Sequence, residues 1–429
     1  MTVPKPARKS STAHWWVLGA LFAGLAVGAW LGRGTVSPAT LDFARVVEGI
    51  GSLWLNGLRM TVGPLVFALL VAAVAGVPNA ALTGRLALRT LAWFAVLLLV
   101  AGVLAVLLSR VLLASWPVDA ALARAFITGA GGEAVAPVAA TGWAEWLQSL
   151  LPSNIIAAAA ANQILALVIF ALLFGFATTR LAARPRTVLT EFFGAMAEAM
   201  VVIVHWMLLA APIGVFALAL GVGRQAGLGA AGLLAHYAFF VALVIASATL
   251  AIYGVVAFGA RSLGARKFAV AIAPVQVVAA STQSSLATLP AMIECARDRL
   301  GVSRREAGLV LPLAVAVFRY TSPLGNLAVC FFVAAMYGLQ PSLLHVATGV
   351  FVALAVSVGS VGLPGQVSFI ASVAPICIAL GLPVEVLGIL VAVEIVPDIF
   401  RTIGNVTADL AVTTLVHEGT GKDAARADE

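Results

Sequence analysis

Charge is scarce in this chain. Only 10% of its 429 residues are Asp, Glu, Lys or Arg, too few to clothe the surface of a soluble protein of that length. Cysteine is almost absent. Cys295, Cys330 and Cys377 are widely spaced, with no CxxC pair, which excludes a disulfide scaffold and a thiolate zinc site. The five histidines form neither HxxxH nor HExxH, so the sequence offers no metal centre of that kind. What the chain has instead is apolar: 62% hydrophobic residues and a mean hydropathy of +1.08. A bilayer span needs ~20 consecutive apolar residues, and such runs recur throughout. The net charge of +7 gives no reason to invoke nucleic acid, because Lys and Arg gather in short loops between the runs, as the positive-inside bias requires.

Hydrophobic runs fall at about 15–32, 50–77, 91–114, 155–178, 192–221, 230–258, 268–293, 307–337, 343–382 and 384–416. The first has basic flanks but is too long for a signal-peptide core and is expected to be retained as a span. Lys5, Arg8 and Lys9 place the N-terminus in the cytoplasm. Arg85 and Arg89, then Arg180, Arg184 and Arg186, then Arg261, Arg266 and Lys267 mark later cytoplasmic loops.

Two runs break the alternation. Were 268–293 to cross fully, Arg297, Arg299, Arg304 and Arg305 would lie outside, against the bias. Its centre, STQSSLATLP (281–290), suits a broken helix that turns back. The run 343–382 is nearly twice a span, with SVGSVGLPG (357–365) at its middle, and Lys422 and Arg426 place the C-terminal tail inside. Both runs read as re-entrant hairpins of opposite entry. Each is followed by a helix bearing polar residues, an inverted repeat that points to a transporter's binding site. The expected order is an N-terminal tail over 1–14, six transmembrane helices over 15–258 and a first hairpin over 264–300. Helix 7 over 302–337, a second hairpin over 343–382, helix 8 over 384–416 and a tail over 417–429 follow.

The last span concentrates charge. On a regular helix with Asp398 at zero, Glu394 falls at about −40°, Arg401 at −60°, Asn405 at −20° and Asp409 at +20°, one polar stripe. Each ionised group at mid-membrane costs ~2.5–3.5 kcal/mol, so four of them imply a purpose. Asp398 and Arg401, three apart, are expected to pair. Arg401 offers a planar fork to a carboxylate, Asp398 an anion to an ammonium, and Asp409 a hard oxygen to a cation. Arg319 lies about a dozen residues into an apolar span and is expected to face an internal cavity. Hydrolysis by the two aspartates is disfavoured, since eleven residues of helix separate them by about 16 Å. A channel or a solute sensor could use the same residues without coupled flux.

These stretches resemble the dicarboxylate/amino acid:cation symporter family, which includes bacterial and neuronal glutamate transporters. The resemblance is carried by SNIIAAAAANQILALVIFALLFG (153–175), APIGVFAL (211–218), STQSSLATLP (281–290) and VGSVGLPG (358–365). Most specific is DIFRTIGNVTAD (398–409), which matches the family's D-x-x-R-T-x-x-N-V-x-x-D run. The resemblance implies an all-α polytopic inner-membrane protein of eight transmembrane helices and two re-entrant hairpins. It further implies a homotrimer whose transport domain moves as an elevator, both termini cytoplasmic, and no enzymatic activity. It implies that Asp398 holds a substrate amino group, Arg401 its distal carboxylate and Asn405 its α-carboxylate. Ser284, Ser285, Leu363, Pro364 and Gly365 would close over the substrate as hairpin tips, with Ser322 and Thr402 beside it. Asp409 and Asn405 would coordinate sodium, so no cofactor is required beyond a coupling cation, sodium or proton.

The chain departs from the family at helix 7. The N-M-D-G-T signature is here Phe318, Arg319, Tyr320, Thr321 and Ser322, and third-helix hydroxyl positions hold Phe94, Leu97 and Leu98. One cation site is therefore expected to be lost, because hydrocarbon cannot replace hard oxygen ligands. Positions where relatives carry a further arginine hold Gln283 and Ile399. Arg319 is expected to act as a built-in cation in place of a bound sodium. Glu394, a carboxyl inside the membrane, is the candidate proton carrier.

Overall fold

The computed structural model describes residues 10–34, 36–76, 85–133, 143–260, 263–359 and 365–427, and among them there is no strand. The first half comprises α1 (Ser10–Arg33), α2 (Pro38–Arg59), α3 (Val62–Ala75), α4 (Arg85–Ser115), α5 (Ala120–Gly129), α6 (Trp143–Leu150), α7 (Ile155–Ala160), α8 (Ile164–Thr179), α9 (Ala183–Leu209) and α10 (Ala211–Ala226). The second comprises α11 (Gly229–Gly259), α12 (Gly264–Thr282), α13 (Ser285–Asp298), α14 (Arg304–Val317), α15 (Thr321–Met336), α16 (Leu343–Gly359), α17 (Gly365–Ala379), α18 (Leu387–Leu390) and α19 (Ile395–Ala427).

Among the described residues, six stretches are long and apolar enough to cross a membrane: Trp15–Arg33, Pro38–Ala75, Leu86–Ser115, Ala183–Leu209, Gly229–Gly259 and Arg304–Met336. The remaining apolar runs are divided into shorter helices, and local chemistry explains the divisions. The run 192–221 reads as one span but breaks at Ala210, with Pro212 set into the first turn of α10. The run 268–293 breaks at Gln283, whose left-handed backbone (φ 49°) ends α12, and Ser284 caps α13 by accepting from the Ala287 amide at 3.2 Å. Helix α14 opens on a reciprocal cap between Ser303 and Glu306. Residues 360–364, the expected tip of the second hairpin, lie outside the described residues, so Leu363 and Pro364 do too; Gly365 opens α17.

Helix 8 is not one regular helix. Leu387–Leu390 is followed by a 3-10 turn at Val391–Val393, and α19 begins only at Ile395. Glu394 therefore sits at the mouth of α19 and not on an unbroken stripe, although its carbonyl still accepts from the Asp398 amide at 2.9 Å. α19 packs against α11, α12 and α14, and α15 packs against α4 and α11, so the polar residues of α19 face the interior of this group.

Away from that group, α1 lies against α10 at backbone distance. Gly24, Gly28 and Gly32, four residues apart, face the carbonyl oxygens of Phe216, Leu220 and Arg224. A Cβ at any of the three would enter that backbone, the small-residue packing that lets membrane helices touch. Gly28→Leu should therefore abolish a monodisperse peak in size-exclusion chromatography of detergent-extracted protein. Gly19→Leu, in open space, should leave the peak unchanged; equal behaviour of the two would refute the packing argument.

Candidate functional site

The site begins where helix 7 unwinds. α14 ends at Val317 and α15 starts at Thr321, leaving Phe318, Arg319 and Tyr320 between them. Phe318 is extended (φ −109°, ψ 90°) and its ring stacks on Phe94 of α4, centroids 4.4 Å apart. Tyr320 donates its hydroxyl to the Ala248 carbonyl of α11 at 3.0 Å. With both aromatic neighbours anchored in the core, Arg319 lines a cleft, as its depth in the sequence implies.

The first turn of α15 contributes Thr321, Ser322 and Asn326 to the cleft, α17 contributes Phe369, and the start of α19 contributes Asp398, Arg401 and Asn405, with Glu394 just before it. The cleft holds about 330 Å³ of empty space, counting its open mouth. Helices α15 and α19 are sewn together beneath it. The Thr321 amide donates to Asn405 Oδ1 at 2.9 Å. The Thr321 hydroxyl lies 2.9 Å from both that oxygen and the Arg401 carbonyl, so its single proton serves one at a time.

Arg401 is the centre of the polar network. Its Nε donates to Glu394 Oε1 at 3.0 Å, and Nη2 stands 2.8 Å from the same oxygen. Its Nη1 donates to Asn326 Oδ1 at 2.9 Å. Glu394, only 2% exposed, accepts from the Tyr237 hydroxyl of α11 at 2.7 Å through Oε2. Asn326 in turn donates to Ser322 Oγ at 3.3 Å. Gly325 leaves room here, since a Cβ would press on the Arg401 guanidinium and displace it. The sequence spacing suggests Asp398 as the partner of Arg401. The guanidinium is found on Glu394, seven residues or about two helical turns back on the stripe read from the sequence, at 2.8 Å.

The other sequence-derived candidates separate. Arg319, Ser322, Asp398, Arg401 and Asn405 meet in the cleft. Thr402 is not among its lining residues and turns its hydroxyl back to the Asp398 carbonyl at 3.0 Å. Ser284 and Ser285 are not among them either. Asp409 is 1% exposed, below the cleft on α19; neither carboxylate oxygen has a hydrogen-bond partner among the described residues, and the charge acting on it is that of Arg319. A buried carboxylate with both oxygens unmet suits a cation ligand. No group of three or more metal-ligating His, Cys, Asp or Glu occurs among the described residues. Sequence reasoning missed Tyr237, Thr321, Asn326 and Phe369 as site residues. Asn326 left a signal, an amide inside an apolar run; Tyr237 and Phe369 left none.

The profile of the sodium:dicarboxylate symporter family matches residues 13–418. The chain belongs to that family. Its relatives include the proton/glutamate-aspartate symporter of Escherichia coli, 28% identical over 94% of this chain and 93% of the relative. The C4-dicarboxylate transport protein of Rhodopseudomonas palustris is 27% identical over 85% and 80%. The rabbit (Oryctolagus cuniculus) neutral amino acid transporter B(0) is 28% identical over 91% and 77%. As a member of this symporter family the protein is a multi-pass membrane transporter. Phe94 and Phe318 form a dry aromatic pair in the core beside the break in helix 7.

Proposed function

We propose that this protein is a secondary active symporter that takes up an acidic amino acid with a coupling cation, one of the family's cation sites having been rebuilt around Arg319. The carrying observation is that Arg319, Arg401 and Asp398 line one cleft. Two guanidiniums and a carboxylate complement a solute with two carboxylates and an ammonium. Asp409, with Asn405 above it, supplies the remaining cation site, and Arg319 replaces a bound sodium with a fixed charge that opposes Asp409 and Asp398. The relatives that carry glutamate, aspartate or C4-dicarboxylates by name support this class of solute. The two arginines also suit a C4-dicarboxylate, which would leave Asp398 without an ammonium to hold. In this reading the protein sits in a bacterial inner membrane with both termini cytoplasmic. It works as a trimer with elevator motion, the hairpins at 264–300 and 343–382 closing the site.

The test is uptake of radiolabelled aspartate into proteoliposomes with sodium and proton gradients imposed separately. Accumulation driven by either gradient supports symport, and sodium drive assigns the coupling to Asp409. Equal entry with no gradient, unsaturated by excess solute, would replace symport by a channel; failure to take up any carboxylate would remove the proposed substrate class.

A further inference from the structure

Both ends of an acidic amino acid are charged, and the methylene chain between them offers a site nothing but its shape. Among the described residues lining the cleft, all but one present a charge or a hydrogen-bonding group. The exception is Phe369 of α17, 3% exposed. A phenyl ring forms no hydrogen bond with a carboxylate, so what it brings to this cleft is bulk and apolar surface.

The place of the ring follows from how α17 is held. Cys330 of α15 and Cys377 of α17, both fully buried, bring their sulfurs to 3.2 Å, and the Cys330 sulfur lies 3.9 Å from the Val373 carbonyl. Ser322 precedes Cys330 by eight residues, and Phe369 precedes Cys377 by eight, about 12 Å along either helix. Ser322 and Phe369 both line the cleft. The two helices therefore leave the cleft side by side, and the ring stands at the level of Ser322. That hydroxyl accepts from Asn326 at 3.3 Å, and Asn326 accepts from Arg401 Nη1 at 2.9 Å. The ring thus borders the Arg401 end of the cleft, and α17, close-packed on α15, does not give way behind it.

Accepting the acidic amino acid read above, we propose that Phe369 sets the length of the solute, its ring closing the Arg401 end of the cleft to any chain longer than that of aspartate. The ammonium and the distal carboxylate are held by Asp398 and Arg401, which are fixed on one helix, α19, so the two ends cannot spread to take up an added methylene. The longer chain must press on the ring or lift its carboxylate from the guanidinium. One methylene in a shaped pocket is worth about 10- to 200-fold in discrimination.

The experiment measures the affinity of the purified full-length protein for aspartate, glutamate and 2-aminoadipate, a series in which each member adds one methylene. Wild type should bind aspartate at least about tenfold tighter than glutamate, with 2-aminoadipate weakest. Phe369→Ala should lower the aspartate-to-glutamate ratio by about tenfold, chiefly by strengthening glutamate. Phe369→Leu, which keeps more of the core filled, should move the ratio the same way by about threefold. Phe351→Ala, on α16 and 41% exposed, should keep the wild-type ratio. A wild type that binds glutamate as well as aspartate, an unchanged ratio in both Phe369 variants, or a parallel loss for all three ligands would overturn the proposal and leave the acidic substrate standing. Absence of wild-type binding to all three would overturn both.

Discussion

Asp398→Asn should weaken aspartate binding by about 10- to 100-fold and leave succinate binding unchanged. Three carboxylates lie in this region, and two are unsuited to an ammonium. Glu394 is engaged by Tyr237 and Arg401, and Asp409 is buried outside the cleft lining. Asp398 lines the cleft at the first turn of α19. Asparagine preserves its shape and one acceptor oxygen but removes the charge, and a hydrogen bond to a charged group contributes about 1.5–3 kcal/mol, which sets the expected range. Succinate has both carboxylates and no amine, so it reports on the two arginines alone. Equal losses for both ligands would mean that Asp398 only maintains the cleft. Tighter succinate than aspartate binding in the wild type would favour the dicarboxylate reading.

Arg319→Met should make the protein depend on an added cation for both stability and uptake. The wild-type group sets Arg319 and Arg401 against Glu394, Asp398 and Asp409, and Arg319 is the guanidinium whose charge opposes both aspartates. Methionine fills similar space without charge. Removing one partner of a buried ionic group costs about 3–5 kcal/mol; the lower end applies here, since Arg319 faces the cleft. The melting temperature of the purified variant should therefore fall in choline chloride and recover in sodium chloride, and uptake should acquire a steeper sodium dependence than the wild type. Identical sodium responses in the two proteins would refute the role of Arg319 as a fixed cation.

Much of this protein was legible before its structure. Scarcity of charge and the length of the apolar runs dictate a membrane protein, because only helices or closed barrels satisfy the backbone in lipid. The interruption at Gln283 follows from the polar run visible in the chain, whereas helix 7, expected to be continuous over 302–337, is broken at Phe318–Tyr320. DIFRTIGNVTAD placed Asp398, Arg401 and Asn405 together, since spacings of three and four residues share a helix face whatever packs against it.

Other features had no sequence signature. Glu394 and Arg401 share a helical stripe in the sequence, but only the structure shows that side chains two turns apart reach each other at 2.8 Å. Tyr237 reaches Glu394 across 157 positions. Cys330 and Cys377, 47 residues apart and unremarkable as a sequence pattern, bring their sulfurs to 3.2 Å where α15 meets α17. Periodicity determines which side chains share a face of one helix. Which faces meet, and so which residues of α11 and α15 reach the Glu394–Arg401 pair, is decided by close packing between helices distant in sequence, where a shift of one turn would exchange every partner.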